Sequence, residues 1–199
     1  MYLSLFKRLF DLIFVVPIAF VLFPIFIIVY FLIKFDSSGP VFFLQERLGI
    51  NQEKFEVIKF RTMTNKPRNV EEQVYNNNPE VTKIGKWLRR YKIDELPQII
   101  NVLKGDMSVI GPRPCLPGTP EKFNLSTEFR FLVKPGLSSI AGVNGSIYLS
   151  WEEKWWYDEF YVKNVSFLLD LKIIIKTILV MFIGEDKFVK RPKLNQNGD

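Results

Sequence analysis

Residues 12–33 read LIFVVPIAFVLFPIFIIVYFLI, and no charged side chain occurs among them. The 27 basic and 21 acidic residues of this 199-residue chain all fall elsewhere. At about 1.5 Å per residue, a helix over this run is roughly 33 Å long, enough for a hydrocarbon core roughly 30 Å thick. So long a stretch of Phe, Ile, Leu and Val is too apolar on every side for a core helix of a small soluble domain. A cleaved signal describes it poorly. The apolar part of such a signal usually spans about 7–15 residues and ends in small side chains, whereas this run ends Phe31-Leu32-Ile33-Lys34. The reading is a membrane-inserted helix.

Its geometry is less settled by the residues. Pro17 and Pro24 lie inside the run, and each removes a backbone donor and clashes with the carbonyl four residues back, so each is a candidate kink. Lys7 and Arg8 precede the run, while Lys34 and a body that brings the net charge to +6 follow it. Positive charge on both sides gives a spanning helix no clear inside. A bent helix that enters and returns keeps both flanks on one face. Spanning and re-entrant forms both remain open, and the flanks tip the balance toward a re-entrant helix over residues 1–35.

Residues 36–184 read as one compact domain, mostly α with a small β-hairpin. After the turn cluster Asp36-Ser37-Ser38-Gly39-Pro40, the runs Val41-Phe42-Phe43-Leu44 and Phe55-Glu56-Val57-Ile58-Lys59-Phe60 flank Gly49-Ile50-Asn51-Gln52 as the two arms of a hairpin. Residues 64–79 form a polar surface loop, and a short helix follows over 83–91. The apolar segment Phe167–Ile183 is interrupted by Asp170, Lys172 and Lys176. The two lysines are four apart and share a helical face, which suits an amphipathic helix in the membrane interface; a core helix is the competing description. Trp151, Trp155, Trp156, Tyr157 and Tyr161, just upstream, are of the types that favour a membrane surface. The polar tail over 185–199 has no periodic pattern and is expected to fray.

Composition removes much chemistry. With no His and one Cys, the chain supports no Ser-His-Asp or Cys-His nucleophile, no His-containing or four-Cys zinc site and no internal disulfide. Acid–base work falls to Asp, Glu, Lys or Tyr. The informative stretch is 94–114, DELPQIINVLKGDMSVIGPRP. Leu96, Ile99, Ile100 and Leu103 repeat at helical spacing before Gly105, with Asp94 as the expected N-cap and Pro97 in the first turn. Asp94 is a plain helix cap on one reading. On the other it stands where free N–H groups favour an anion, and an incoming phosphate then calls for a cation such as Mg²⁺ held by Asp94 and Glu95. Gly111-Pro112-Arg113-Pro114 presents Arg113 from a stiff backbone, suited to bidentate phosphate binding or simply a rigid turn with a solvated Arg. Lys59 and Arg89 are weaker candidates on their own.

Together these residues resemble the bacterial sugar transferases, the small monotopic phosphoglycosyl transferases that begin polyprenyl-linked glycan assembly. The resemblance covers most of the chain: FKRLFDLIF at 6–14 before a Pro-broken apolar segment, KFRTM at 59–63, TKIGKWLRR at 82–90, the 94–114 stretch and YVKNVSFLLDLKIIIKT at 161–177. It implies transfer of a sugar 1-phosphate from a UDP-sugar to polyprenyl (undecaprenyl) phosphate with release of UMP. By the family pattern Asp94 attacks the sugar-bearing phosphorus and Glu95 handles metal or proton. Arg89 and Arg113 lie near the phosphates, with Lys59, Gly111, Pro112 and Pro114 lining the substrate site. It implies Mg²⁺, a re-entrant helix bent at Pro24 and Pro17, and interfacial helices around a catalytic domain on the cytoplasmic face of the bacterial inner membrane. Membrane lipids are the further partners and a homodimer is allowed. Two departures stand out: Phe23 precedes Pro24 where the family often has Ser, and Ser139-Ile140-Ala141-Gly142-Val143-Asn144-Gly145-Ser146 lacks the family's Trp, Gln and Arg, so the sugar is not carried over. A non-catalytic basic protein on anionic lipid is the rival reading, and it leaves the acidic pair beside Gly-Pro-Arg-Pro unexplained. Nucleic acid is not expected as a partner, because aromatic and basic residues do not interleave on a platform.

Overall fold

An apolar helix needs a partner for each of its faces, and α1 (Lys7–Asp36) has two unlike faces. The computed structural model describes residues 5–65, 78–119 and 128–193; most of the expected polar loop, 66–77, lies outside them. α1 stays helical through Pro17 and Pro24. Val15, Ala19, Leu22, Phe26, Val29 and Ile33, three or four residues apart, pack on the rest of the protein, as one helix face must. The other face exposes Ile13, Phe20, Val21, Phe23, Ile28 and Phe31.

Both ends of α1 are tied to the same body. Near its start the buried Lys7 ammonium lies 3.1 Å from Asp11 and 2.7 Å from Asp170. Asp11 also accepts from the Ser108 hydroxyl at 2.9 Å and the Val109 N–H at 3.0 Å, and the Tyr161 hydroxyl lies 2.8 Å from Asp170. Each buried charge is thus paired and hydrogen-bonded, the condition under which burial is tolerable. At the far end Asp36 accepts from the Ile84 N–H at 3.1 Å, and Val29 and Ile33 meet Val41, Phe60 and Leu88.

The hairpin forms as expected. Strand β1 (Phe42–Leu48) runs antiparallel to β2 (Lys54–Phe60), with Phe42 opposite Phe60 and Leu48 opposite Lys54. Helix α2 (Lys83–Arg90) is capped by the Thr82 hydroxyl, which accepts from the Gly85 N–H at 2.9 Å. Helix α3 (Gln98–Lys104) ends at Gly105 with φ 96°, the left-handed C-terminal stop that glycine favours.

Its beginning corrects the sequence reading. Asp94 is not the N-cap of α3; Pro97 stands there, and Asp94 lies in a separate 3₁₀ turn, Ile93–Glu95. Lys92 enters that turn with φ 55°, and the Glu95 and Leu96 N–H groups bond to the carbonyls of Lys92 and Ile93. Backbone carbonyls meet these donors, so the Asp94 carboxylate is not recruited as a cap.

β3 (Ser108–Ile110) and β4 (Gly136–Ser138) form a short parallel pair that the sequence did not reveal. Gly111 and Gly136 make it possible: a Cβ on Gly136 would sit 2.1 Å from the Gly111 nitrogen, and one on Gly111 2.4 Å from the Lys134 carbonyl. Only glycine allows so close a backbone approach.

Helices α4 (Ile140–Val143), α5 (Trp151–Asn164) and α6 (Phe167–Ile183) complete the body. Ser150 and Glu153 close a capping box at the start of α5. Trp155, Tyr157 and Tyr161 are buried rather than at a surface, because they fall on the inward face of α5; Trp151 and Trp156 remain partly exposed. Tyr157 and Tyr161 join Ile110, Val143, Ile173 and Val180 in the main core cluster. α6 buries Asp170, Ile173 and Val180 and exposes Leu168, Ile175, Leu179 and Phe182. The tail does not fray where it is described. It makes a 3₁₀ turn at Glu185–Phe188, and the Lys190 N–H bonds to the Asn144 carbonyl at 2.9 Å. Residues 194–199 lie outside the described residues.

Candidate active site

Asp94 and Glu95 are adjacent in the 3₁₀ turn, so their side chains diverge by roughly 120°. They have different surroundings. Glu95 is gripped: Lys59 Nζ lies 3.0 Å from Oε1, Arg113 Nη1 lies 3.3 Å from Oε2, and Arg113 Nη2 closes a second bond to Oε1. Burial opposes charge on Glu95, but the Arg113 and Lys59 cations outweigh it and hold the carboxyl well below the usual range. Among the described residues, no side chain bonds or pairs with the Asp94 carboxylate. Burial, and then the Glu95 charge, push its pKa up, against a smaller pull from Lys59 and Arg89.

Three distant segments bring these groups together. Lys59 comes from β2, which is fixed against α3 by Asn101, a fully buried amide. Its Nδ2 donates to the Glu56 carbonyl at 2.7 Å and its Oδ1 accepts from the Ile58 N–H at 3.0 Å. Arg113 comes from the segment after β3. The Gly111 N–H bonds to the Ser138 carbonyl at 3.1 Å, and the Pro112 carbonyl accepts from Gly136 at 2.9 Å. Arg130, paired with Asp158 at 3.1 Å, donates to the Arg113 carbonyl at 2.8 Å. Gly111, Pro112 and Pro114 therefore hold the backbone that presents Arg113. The Arg113 side chain itself is 62% exposed, open to a ligand, and Glu95 raises its pKa.

The other basic candidates divide. Arg89, from α2, donates through Nε to the Thr62 hydroxyl at 2.9 Å and feels Asp94 electrostatically. Lys59 is deeply placed, and burial lowers its pKa despite Glu95. Arg47 was missed by sequence reasoning. It donates to the Pro114 carbonyl at 3.2 Å, and burial, then the Arg113 charge, push its pKa down to about 10. Lys154, with its pKa lowered first by burial and then by Arg113, is a second omission. A basic residue on an amphipathic strand such as β1 carries no local mark of function, so no sequence signal singled out Arg47.

Lys59, Arg89, Arg113 and Arg47 thus outnumber Asp94 and Glu95. A net positive site with one carboxylate that no described side chain bonds to suits a diphosphate that is to be attacked by an acid oxygen. A metal would find little protein here. Among the described residues no third acidic or Cys ligand joins the pair, and three contacts already occupy the Glu95 oxygens. That sparse donor set still fits Mg²⁺, which often takes one or two carboxylates and completes its shell with water and substrate phosphate.

Comparison with known proteins identifies the family. The family description "Bacterial sugar transferase" matches residues 2–184. An uncharacterized sugar transferase of Bacillus subtilis is 40% identical over 182 residues, covering 90% of this chain and 88% of the relative. The undecaprenyl-phosphate glucose phosphotransferase of Komagataeibacter xylinus is 40% identical over 193 residues, 86% of this chain and 35% of that protein. A UDP-N-acetylgalactosamine-undecaprenyl-phosphate N-acetylgalactosaminephosphotransferase of Aeromonas hydrophila is 40% identical over 160 residues, 77% of this chain and 38% of its own length. The chain therefore spans well under half of these two longer relatives. With a family match over nearly its whole length and a close relative of its own size, the chain belongs to the bacterial sugar transferase family and is a transferase enzyme.

Proposed function

We propose that this protein moves a sugar 1-phosphate from a UDP-sugar to undecaprenyl phosphate through a covalent phosphosugar–Asp94 intermediate. The observation that carries the reading is the contrast within the acidic pair: Lys59 and Arg113 hold Glu95, while no side chain among the described residues bonds to the Asp94 carboxylate. An Asp94 oxygen attacks the sugar-bearing phosphorus. The Asp94 O–P bond forms, the P–O bond to the uridylyl phosphate breaks, and UMP leaves as the anion. An oxygen of undecaprenyl phosphate then attacks the same phosphorus, which releases Asp94 as a carboxylate. Arg113 and Lys59 stabilise charge on the phosphoryl oxygens, with Glu95 fixing where both cations point. Asp94 and Glu95 would hold a Mg²⁺, which would supply neutralisation of the donor diphosphate charge. Names of relatives that include UDP-glucose, UDP-galactose and undecaprenyl phosphate support the substrate classes.

The acceptor is a lipid, which gives the exposed apolar surface of α1 and α6 a use. Phe10 of α1 stacks edge-on against Phe167 of α6 at 5.4 Å, so the two helices offer neighbouring apolar faces. A helix crossing the bilayer straight would carry one end away from the body, whereas α1 is bound to it at both ends. That supports a helix that enters and leaves on one side, with the catalytic domain on the cytoplasmic face of the inner membrane and lipids as neighbours. The same family membership weighs against the non-catalytic lipid-binding reading. The test is a single-turnover reaction with UDP-glucose, UDP-galactose and UDP-N-acetylgalactosamine in turn, without acceptor. One donor should give a UMP burst of up to one equivalent and add the mass of a sugar phosphate to the peptide holding Asp94. Turnover only when both substrates are present, with no modified peptide, would replace this mechanism by direct transfer.

A further inference from the structure

The chain beyond Gly184 lies outside the region shared with the family, whose match ends at residue 184. It is nonetheless built into the site's surroundings. Gly184, with φ 102°, turns the chain sharply out of α6; a Cβ there would meet the Asp186 carboxylate at 2.7 Å. Glu185 then reaches Lys92, with Oε2 2.9 Å from Nζ. Downstream the segment is anchored three times. The Lys190 N–H bonds to Asn144 and its carbonyl accepts from the Tyr157 hydroxyl at 2.7 Å, while Arg191 clasps Glu153 through both oxygens at 3.0 Å. Val189 packs where a Cβ on Gly145 would fall, 3.2 Å away.

Lys92 is the residue through which this segment meets the catalytic turn. It stands two positions before Asp94, its φ of 55° is a conformation that non-glycine residues adopt only when their surroundings impose it, and its carbonyl accepts the first bond of the turn from the Glu95 N–H at 3.3 Å. The Glu185 charge is also felt by Arg113 on the other side of the acidic pair.

We propose that Glu185 is a positioning residue of this transferase, which holds Lys92 in its left-handed conformation and so sets where the turn presents Asp94. The inference rests on Asp94 being the attacking group. An ion pair whose lysine is half exposed adds little to global stability, so its use is local: it fixes one end of a strained turn whose neighbouring residue must meet a phosphorus atom in line.

The experiment uses the full chain in detergent with UDP-glucose, or whichever of the three donors turns over fastest, and compares Glu185→Gln, Lys92→Met and the double variant. The rate of the UMP burst should fall about two- to tenfold in each single variant. Donor KM should stay within about twofold and the melting temperature should hardly move, and the double variant should be no slower than the slower single one, because both changes break the same link. An unchanged burst rate in Glu185→Gln overturns the inference, as do losses that multiply in the double variant or vanish when rates are expressed per folded molecule. A wild type without any burst would instead overturn the covalent mechanism, so the two failures are distinct.

Discussion

Replacing Asp94 by Asn separates a nucleophile from a structural carboxylate. The two side chains have nearly the same shape, and among the described residues Asp94 makes no side-chain bond that the amide would break. Its folded pKa is raised, first by burial and then by Glu95. A raised carboxyl pKa means that the folded state holds the proton more tightly than the unfolded chain. The associated stability is present in full below the unfolded value, about 3.9, and is lost as pH rises through the folded one. At neutral pH the charged Asp94 is therefore a local cost that Asn relieves, so the variant should melt at the wild-type temperature or slightly above it. Each 1 kcal/mol of such relief corresponds to roughly 2–4 °C in a chain of this size. Turnover should fall by at least about a thousandfold, or about 4 kcal/mol of barrier, since an amide oxygen is a poor nucleophile. The assay pairs a thermal melt with UMP release from the donor that works on wild type. In the wild type, release should also slow as pH falls through the raised Asp94 pKa, where the attacking carboxylate takes up a proton. A stable Asp94→Asn variant with near-normal turnover would refute covalent catalysis by this residue; a poorly folded one would refute the claim that the side chain carries no structural bond.

Other perturbations test the remaining parts. Arg113→Lys keeps charge but loses the two-pronged grip on Glu95 and phosphate, and kcat/KM should fall about tenfold to a hundredfold, the equivalent of one charge-assisted bond; an unchanged value would make Arg113 a surface residue. Excess EDTA should stop turnover and added Mg²⁺ restore it, whereas full activity in chelator would leave neutralisation to Arg113 and Lys59. Lys7→Met strands Asp11 and Asp170 in the interior and should cost about 3–5 kcal/mol of stability; a melt within a degree of wild type would show that the pair is not held as described. Cysteines introduced just before Leu12 and just after Ile33, probed by an impermeant reagent from outside the cell, should both stay unlabelled, and reaction at one end alone would establish a spanning helix.

Much of the local structure was legible because local structure is set by short-range sterics and hydrophobic period. The strand arms flanking Gly49–Gln52, the helix that ends at Gly105 and the bounds of α6 follow from turn residues and from spacings of two or three to four. Asp94 shows the limit of that reasoning. An acidic residue ahead of an apolar helical pattern has the local pattern of an N-cap, yet here the preceding Lys92 adopts φ 55° and backbone carbonyls take the donors a cap would have served. The aromatic run of α5 fails in the same way, since composition marks Trp and Tyr as interfacial while only the packing of neighbouring helices decides which of them face the core.

The residues alone show that a long uncharged helix leaves water, that neither a His-dependent nucleophile nor an internal disulfide is available, and that the acidic pair and Gly-Pro-Arg-Pro are the groups to watch. The tertiary structure sets which partners these residues meet. Lys59 and Arg113 lie 36 and 18 positions from Glu95, and the Asn101 link between α3 and β2 and the glycine-tight β3–β4 pair bring them onto one carboxylate, while no described side chain bonds to its neighbour. The same holds for Lys7 and Asp170, far apart in the chain and 2.7 Å apart in space. Conformational preference acts between neighbours along the backbone, whereas charge neutralisation, desolvation and hydrogen bonding act across space and take their partners from whatever segments the fold packs together.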